Sequence, residues 1–139
     1  MSRKNFWVTS GVIFFLFVVL DYFLHGVLLA GLYEQTASLW RPLEELQRLS
    51  WIMWVTDAVE AILFVWLFSK GLEANKPYPV QGLRFGLALG ILFSFPIGFG
   101  MYAISPVPFA LGFGWFAGGV AEFVIAGLAA GLVARSLPE

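Results

Sequence analysis

The chain contains no cysteine, a single histidine and few charged residues. The absence of cysteine excludes disulfides, thiolate metal sites and thiol redox chemistry. Charged residues make up 12% of the 139 residues, whereas an ordinary soluble domain carries roughly 25%. The net charge is −1, which gives no basic surface of the kind that nucleic acids attract. These deficits argue against a soluble domain and against a nucleic-acid-binding protein.

What the chain has in excess is apolar side chains. Hydrophobic residues make up 60% of the sequence and aromatic residues 18%, and the mean hydropathy is +0.84. A domain of this length could not bury so much apolar surface, so we expect an integral membrane protein with one transmembrane domain over residues 1–139. The first apolar run contains Asp21 and His25 and is too long for a signal peptide, which predicts a retained first helix.

Four apolar runs are long enough to cross a bilayer, since a spanning helix needs ~20 residues. The predicted spans are residues 6–33, 50–69, 80–105 and 109–134. Before the second span, Pro42, Glu44 and Glu45 predict an interfacial helix start over residues 42–49. Pro96 predicts a kink in the third span, because proline lacks the N–H that a helix needs. The predicted fold is therefore an all-α, four-helix membrane bundle.

The basic residues are distributed unequally between the two sides of this bundle. The larger group lies on the side of both termini and comprises Arg3, Lys4, Lys70, Lys76, Arg84 and Arg135. Only Arg41 and Arg48 lie on the other side. The positive-inside rule therefore predicts that both termini are cytoplasmic. The tryptophans are placed at the two interfaces, with Trp115 among those at the outer one.

Small residues recur at intervals of four in the third and fourth spans. The glycines in this pattern are Gly82, Gly86, Gly90, Gly114, Gly118, Gly127 and Gly131. Small residues at this spacing let helix backbones approach closely in lipid. We expect them to pack the third and fourth helices together within one chain. The alternatives are a homo-oligomer interface and a docking face for the subunits of a larger membrane complex.

Five ionisable residues are predicted near the bilayer midplane: Asp21, His25, Asp57, Glu60 and Glu122. Counted inward from the helix ends at 1.5 Å per residue, they fall within a band on the order of 10 Å. Asp21 and His25 share a helix face, as do Asp57 and Glu60. Facing lipid would cost at least ~2.5 kcal/mol per charge. We therefore expect all five in the bundle interior.

The charge balance of this polar cluster is uneven, because no lysine or arginine lies at its depth. Four carboxylates and at most one imidazolium would leave a net negative charge in a low-dielectric interior, which is too costly. Either some of the carboxyl groups carry protons or a cation lies among them. The favoured function is therefore binding or relaying a cation, either a proton or a divalent metal.

Several other functions fit the same residues. Carboxylate-bridged metal sites in helical bundles use inward Glu and His, but this chain lacks their Glu-x-x-His motifs. A haem on His25 rests on a lone histidine and is weakly supported. The chain could instead be a non-catalytic accessory subunit docking through the glycine faces, or an enzyme using His25 as a base on a lipophilic substrate. Buried polar residues can also simply hydrogen-bond helices together, at about 0.6 kcal/mol each.

One further pattern runs from the first span into the loop that follows it. It reads Asp21, His25-Gly26, Leu32-Tyr33 and Leu39-Trp40-Arg41-Pro42. In outline it resembles small four-helix bacterial membrane proteins of unknown function, in which a Tyr…Trp loop follows the first helix and a glycine-rich helix ends the chain. The resemblance implies a four-helix fold in a prokaryotic inner membrane. It implies no activity and no functional residue.

Overall fold

The computed structural model describes residues 1–136, and all regular secondary structure in this range is helical. Helix α1 continues directly into a π-helical segment, and a second π-helical segment joins α4 to α5. A single 3-10 turn, Ala37–Leu39, follows α2. The helices are α1 (Arg3–Phe23, then π Leu24–Leu28), α2 (Ala30–Gln35), α3 (Leu43–Lys70), α4 (Tyr78–Phe95, then π Pro96–Gly100), α5 (Met101–Ile104) and α6 (Phe109–Ser136).

Four of the helical stretches are long and apolar enough to cross a membrane. They comprise Arg3–Leu28, Leu43–Lys70, Tyr78–Ile104 and Phe109–Ser136, with mean hydropathies between 1.7 and 2.2. The prediction of an all-α chain with four long apolar helices is confirmed. The boundaries differ in two places. Residues 42–49 belong to the same continuous helix as the second span, and the first span is interrupted at Leu29, whose N–H bonds the Leu24 carbonyl in π fashion.

Local sequence signals account for the ends of these helices. Ser2 caps α1, since its hydroxyl accepts the backbone N–H of Asn5. Glu44 and Glu45 lie in the first turn of α3, where the helix dipole favours acids. Its last turn holds Lys70, and Gly71 follows as the C-cap. A side chain of α4 holds the loop between α3 and α4 in place. The Gln81 side-chain amide accepts the backbone N–H of Glu73 and donates to the Glu73 carbonyl.

The long helices pack in a fixed order, α3 against α1, α1 against α6, and α6 against α4. In the half of the bundle that holds the N-terminus, these contacts bury a core that is largely aromatic. Phe64 of α3 lies edge-on to Phe17 of α1 and to Phe85 of α4. The core consists of Ile13, Phe17, Ala61, Phe64, Val65, Phe68, Phe123, Ala126 and Ala130. It forms an apolar layer across the bundle on one side of the polar residues.

The glycines of α4 and α6 form the closest helix contact in the described chain. A Cβ atom added to Gly82 would collide with the backbone of Gly127, and one added to Gly90 would lie 3.0 Å from the Cα of Val120. These glycines therefore pack the third and fourth spans against each other, as small residues do in lipid. Gly114 and Gly118 have a different partner. They face the side chains of Leu29 and Leu24, at the end of the first span.

The intramolecular glycine contact bears on the docking alternative. Gly82, Gly86, Gly127 and Gly131 already lie against backbone of the same chain. A partner subunit would therefore have to use other faces of α4 and α6. Those faces carry exposed apolar side chains, among them Leu83, Leu87 and Leu132.

Candidate functional site

A cavity of about 490 Å³ lies between α1, α3, α4 and α6 and contains most of the polar cluster. Four of the predicted residues line it, namely Asp21, His25, Glu60 and Glu122. The fifth, Asp57, is 7% exposed and contacts the Asp21 carboxyl. The structure thus brings all five predicted residues into one neighbourhood. The remaining polar lining comes from Tyr33, Ser94 and Trp115.

Both π-helical segments of residues 1–136 border this cavity. The first contains His25, and the second contains Ile97. A π turn inserts an extra residue into the helix, which redirects the side chains around it, and such turns often occur at functional sites. Pro96 begins the second segment and has no N–H to donate. The sequence predicted a kink there, and what the structure shows at Pro96 is this change from α to π hydrogen bonding.

A hydrogen-bonded series links Trp115, Tyr33 and His25 at one end of the cavity. The Trp115 indole N–H donates to the Tyr33 hydroxyl oxygen at 2.6 Å. The same oxygen lies 2.6 Å from His25 Nδ1. An indole N–H can only donate, so the Tyr33 oxygen accepts from it and the Tyr33 proton is available for donation to His25. In that arrangement His25 Nδ1 is the acceptor and the neutral imidazole carries its proton on Nε2.

The Nε2 atom of His25 faces Asp21. It lies 3.9 Å from Oδ1 of Asp21, one helical turn earlier. The Asp21 carboxyl in turn neighbours that of Asp57 on α3. Two neighbouring carboxyl groups can share a hydrogen bond once one of them carries a proton. The polar series therefore leads from Trp115 through Tyr33 and an imidazole to a pair of neighbouring carboxyl groups.

Other polar groups in the cavity have no hydrogen-bond partner within residues 1–136. Oε1 of Glu122 is fully buried and makes no hydrogen bond. Ser94 is 4% exposed, lines the cavity, and has its Oγ against Gly119 without a bond to any described group. Buried polar atoms are nearly always paired with protein, water or ligand. These two groups are therefore available to hydrogen-bond a water molecule or a ligand.

Glu60 does not lie where the sequence predicted. It was expected in the bundle interior, but the structure leaves it exposed at the open side between α3 and α4. The reason is the packing order of the helices, because α3 makes its main contact with α1 and its Glu60 face turns toward α4. No lysine or arginine is among the described residues that line the cavity. The excess of acidic groups predicted from the sequence is therefore present.

Sequence reasoning missed the aromatic residues of the site. Trp115 was placed at the outer interface as a lipid anchor, yet its indole N–H bonds Tyr33, and Trp40 packs edge-on to both rings. Tyr33 lies eight residues after His25, close to the same helix face, which was the available signal. Burial raises the pKa of the Tyr33 hydroxyl, which lies beyond the first span. The hydroxyl therefore stays protonated and able to donate at neutral pH.

Within residues 1–136, no three His, Cys, Asp or Glu side chains come together closely enough to hold one metal ion. No family model, curated protein sequence or solved structure matches the chain. The function must therefore be argued from the site itself.

Proposed function

We propose that this chain is a multi-pass membrane protein that binds and exchanges protons at a carboxyl–imidazole cluster beside a cavity between its helices. The cluster is formed by Asp21, His25, Asp57, Glu60 and Glu122. The observation that carries the proposal is the polar series from Tyr33 through His25 to Asp21, with Asp57 as its neighbour, along a cavity whose described lining has no lysine or arginine. Intramembrane acids and histidines commonly serve as proton relays.

The distribution of basic residues supports a definite orientation for this protein. Arg3, Lys70 and Arg135 belong to helix ends on one side of the bundle, and Arg41 lies on the other. Under the positive-inside rule both termini are cytoplasmic. In that orientation Tyr33, Trp40 and Trp115 lie toward the outer surface. The hydrogen-bonded series is then the outer approach to the cluster.

The proton suits the site better than a divalent metal does. A metal would need three or more converging ligands, whereas the groups here meet in pairs, as Asp21 with His25 and Asp21 with Asp57. Such pairs can hold and pass a proton without further ligands. Protonation also relieves the excess negative charge, which several ionised carboxylates in a bilayer could not sustain.

The apolar layer limits where these protons can go. On the side toward the N-terminus, Ile13, Phe17 and Phe64 are at most 5% exposed and fill the bundle. The buried polar residues on that side, Asn5, Thr9 and Ser10, lie nearer the start of α1, beyond Ile13. We therefore propose exchange with the outer side through His25 and Tyr33, and not free conduction across the membrane.

Infrared spectroscopy of the purified protein in nanodiscs tests whether the cluster holds protons. Protonated carboxyl groups absorb separately from carboxylates in the C=O stretching region. At about pH 7, where ordinary Asp and Glu are ionised, we expect this band in the wild-type protein. Asp57→Asn and Glu122→Gln should each reduce it. The matched control is Glu44→Gln, which removes an exposed carboxyl at the start of α3 and should leave the band unchanged.

Two results would contradict the proposal. The first is a wild-type spectrum without protonated carboxyls at about pH 7. The second is a stoichiometric divalent metal, found by elemental analysis, whose loss in Asp21→Asn and His25→Ala shows that a metal ion neutralises the cluster.

A further inference from the structure

An apolar groove of about 500 Å³ opens between α3 and α4 on the side of the bundle. Its walls are formed by Val55, Val59, Leu63, Leu89, Phe93 and Phe123. Val55, Val59 and Leu63 are each at least 50% exposed, so the groove is open to the membrane. From Ile52 to Leu67 it follows α3 for about 22 Å, at 1.5 Å per residue. Its dimensions and lining fit a hydrocarbon chain.

The groove and the polar cavity meet at shared walls. Glu60, Phe93 and Phe123 line both spaces. Glu60 is exposed at this junction, although it lies near the middle of the α3 span, where a bare carboxylate in lipid is costly. Something that carries both an apolar chain and a polar group would cover this residue. Such a molecule would extend from the groove into the cavity.

The cavity end of this path has free hydrogen-bonding capacity. Ser94 is only 4% exposed, and its hydroxyl has no hydrogen-bond partner among the described residues. Its Oγ lies at the cavity wall beside Gly119. Glu122 contributes a buried oxygen that also lacks a partner. A buried polar group of this kind normally has a bound partner. Both groups lie within the space that the head of a ligand entering past Glu60 would reach.

We propose that the joined groove and cavity bind a lipophilic amine, with its chain between α3 and α4 and its ammonium group among Glu60, Glu122 and Ser94. Charge selects this occupant, because the described lining of both spaces holds carboxyl groups and no lysine or arginine. An ammonium group supplies three donors, which carboxylate and hydroxyl oxygens can accept. A phosphate or carboxylate head group would be repelled by the same acids.

The proposal names a ligand for the proton-binding cluster and so rests on the proposed function. The bound ammonium and the exchanged protons would alternate as the positive charge that balances Glu60 and Glu122. The two can still be separated experimentally, because protons are detected by the infrared carboxyl band and the amine by direct binding.

Equilibrium binding of radiolabelled dodecylamine to the protein in nanodiscs tests the proposal, with empty nanodiscs as the background. We expect saturable binding of about one amine per chain. Dodecanol, which has the same chain and no charge, should bind the wild-type protein at least about tenfold more weakly than dodecylamine does. Dodecylamine should bind the Glu60→Gln protein more weakly by the same factor. The reason is that a hydrogen bond to a charged group contributes ~1.5–3 kcal/mol, and 1.4 kcal/mol corresponds to a tenfold change in affinity.

A pair of tryptophan substitutions tests the groove itself. Val59→Trp fills the groove from a position that is 51% exposed, so it should weaken amine binding at least about tenfold and still fold. Val19→Trp is the matched control, since Val19 is 60% exposed on α1 and lines neither space. It should bind the amine like the wild type. Equal thermal unfolding of the two variants shows that both are folded.

Three outcomes would overturn the proposal. Equal affinities for dodecylamine and dodecanol would show that the acids do not recognise the head group. Binding no greater than that of empty nanodiscs would show that the groove has no such ligand. A dimer that Val59→Trp converts to monomers would show that a second copy covers the groove. If the infrared carboxyl band persists in any of these cases, the amine site fails while the proton-binding function stands.

Discussion

Replacing Tyr33 with phenylalanine removes the one hydroxyl that joins Trp115 to His25. In the wild-type protein that oxygen accepts the Trp115 indole N–H and lies within hydrogen-bonding distance of His25 Nδ1, both at 2.6 Å. Tyr33→Phe keeps the ring and its packing against Trp40. It leaves an indole donor and an imidazole acceptor without their partner. The substitution thus tests the hydrogen-bonded series without opening a cavity.

The expected loss of stability follows from the two bonds. A hydrogen bond between side chains in a membrane protein contributes about 0.6 kcal/mol on average and up to ~1.7. Losing two of them should therefore lower the free energy of unfolding by about 1–3 kcal/mol. Tyr22→Phe is the matched control, because its side chain is 73% exposed and its hydroxyl makes no hydrogen bond within residues 1–136. The control should change stability by less than about 0.5 kcal/mol.

Nitrogen NMR gives the decisive assay, because the chain has a single histidine. Protein labelled with ¹⁵N only in histidine reports the tautomer of His25 alone. At neutral pH we expect an unprotonated Nδ1 and a protonated Nε2 in the wild type and in Tyr22→Phe. In Tyr33→Phe the preference should weaken, since nothing donates to Nδ1. A wild-type spectrum that shows a protonated Nδ1, or a tautomer that Tyr33→Phe leaves unchanged, would refute the assignment of this series.

Three further predictions follow from the packing, the buried acid and the orientation. Gly82→Ala should destabilise the protein by about 1–3 kcal/mol in thermal unfolding, because the added Cβ would meet the Gly127 backbone. Gly11→Ala should instead stabilise it by about 0.5–1 kcal/mol, because a Cβ at Gly11 has nothing within 4 Å. Equal effects of the two substitutions would contradict this packing. Glu122→Gln should preserve or raise the unfolding temperature, since the buried carboxyl oxygen has no described partner; a loss above about 1 kcal/mol would give Glu122 a structural role. In a chain without cysteine, Ser38→Cys should react with an impermeant thiol reagent from outside the cell and Ser136→Cys only after permeabilisation; the reverse pattern would invert the orientation.

The helices could be predicted from the sequence because each apolar run exceeds the length of a span. The proximity of the polar residues could also be predicted, since 1.5 Å per residue gives the positions of Asp21, Asp57 and Glu122 along their helices without knowledge of their neighbours. The side to which α3 turns could not. It depends on α1 lying between α3 and α6, and that order is set by side-chain packing over the whole bundle. Glu60 was therefore predicted as interior and is exposed.

The aromatic part of the site could not be predicted from the sequence for a related reason. A tryptophan at the end of a span fits an interfacial anchor, and only the tertiary structure shows that Trp115 donates to a residue 82 positions away. The π turn around His25 was equally invisible. It arises from the hydrogen bond between the Leu29 N–H and the Leu24 carbonyl, where no proline indicates an irregularity. At the other π turn, Pro96 predicted a kink but not the π hydrogen bonding.

The central claim is that protons reach the cluster through Tyr33 and His25, and hydrogen–deuterium exchange of the carboxyl groups tests it most directly. When D₂O is added to the protein in nanodiscs, the C=O band of the protonated carboxyls shifts as each proton is replaced. We predict rapid exchange in the wild type and in Tyr22→Phe, and slower exchange in Tyr33→Phe and His25→Gln. Equal exchange rates in all four proteins would contradict the account.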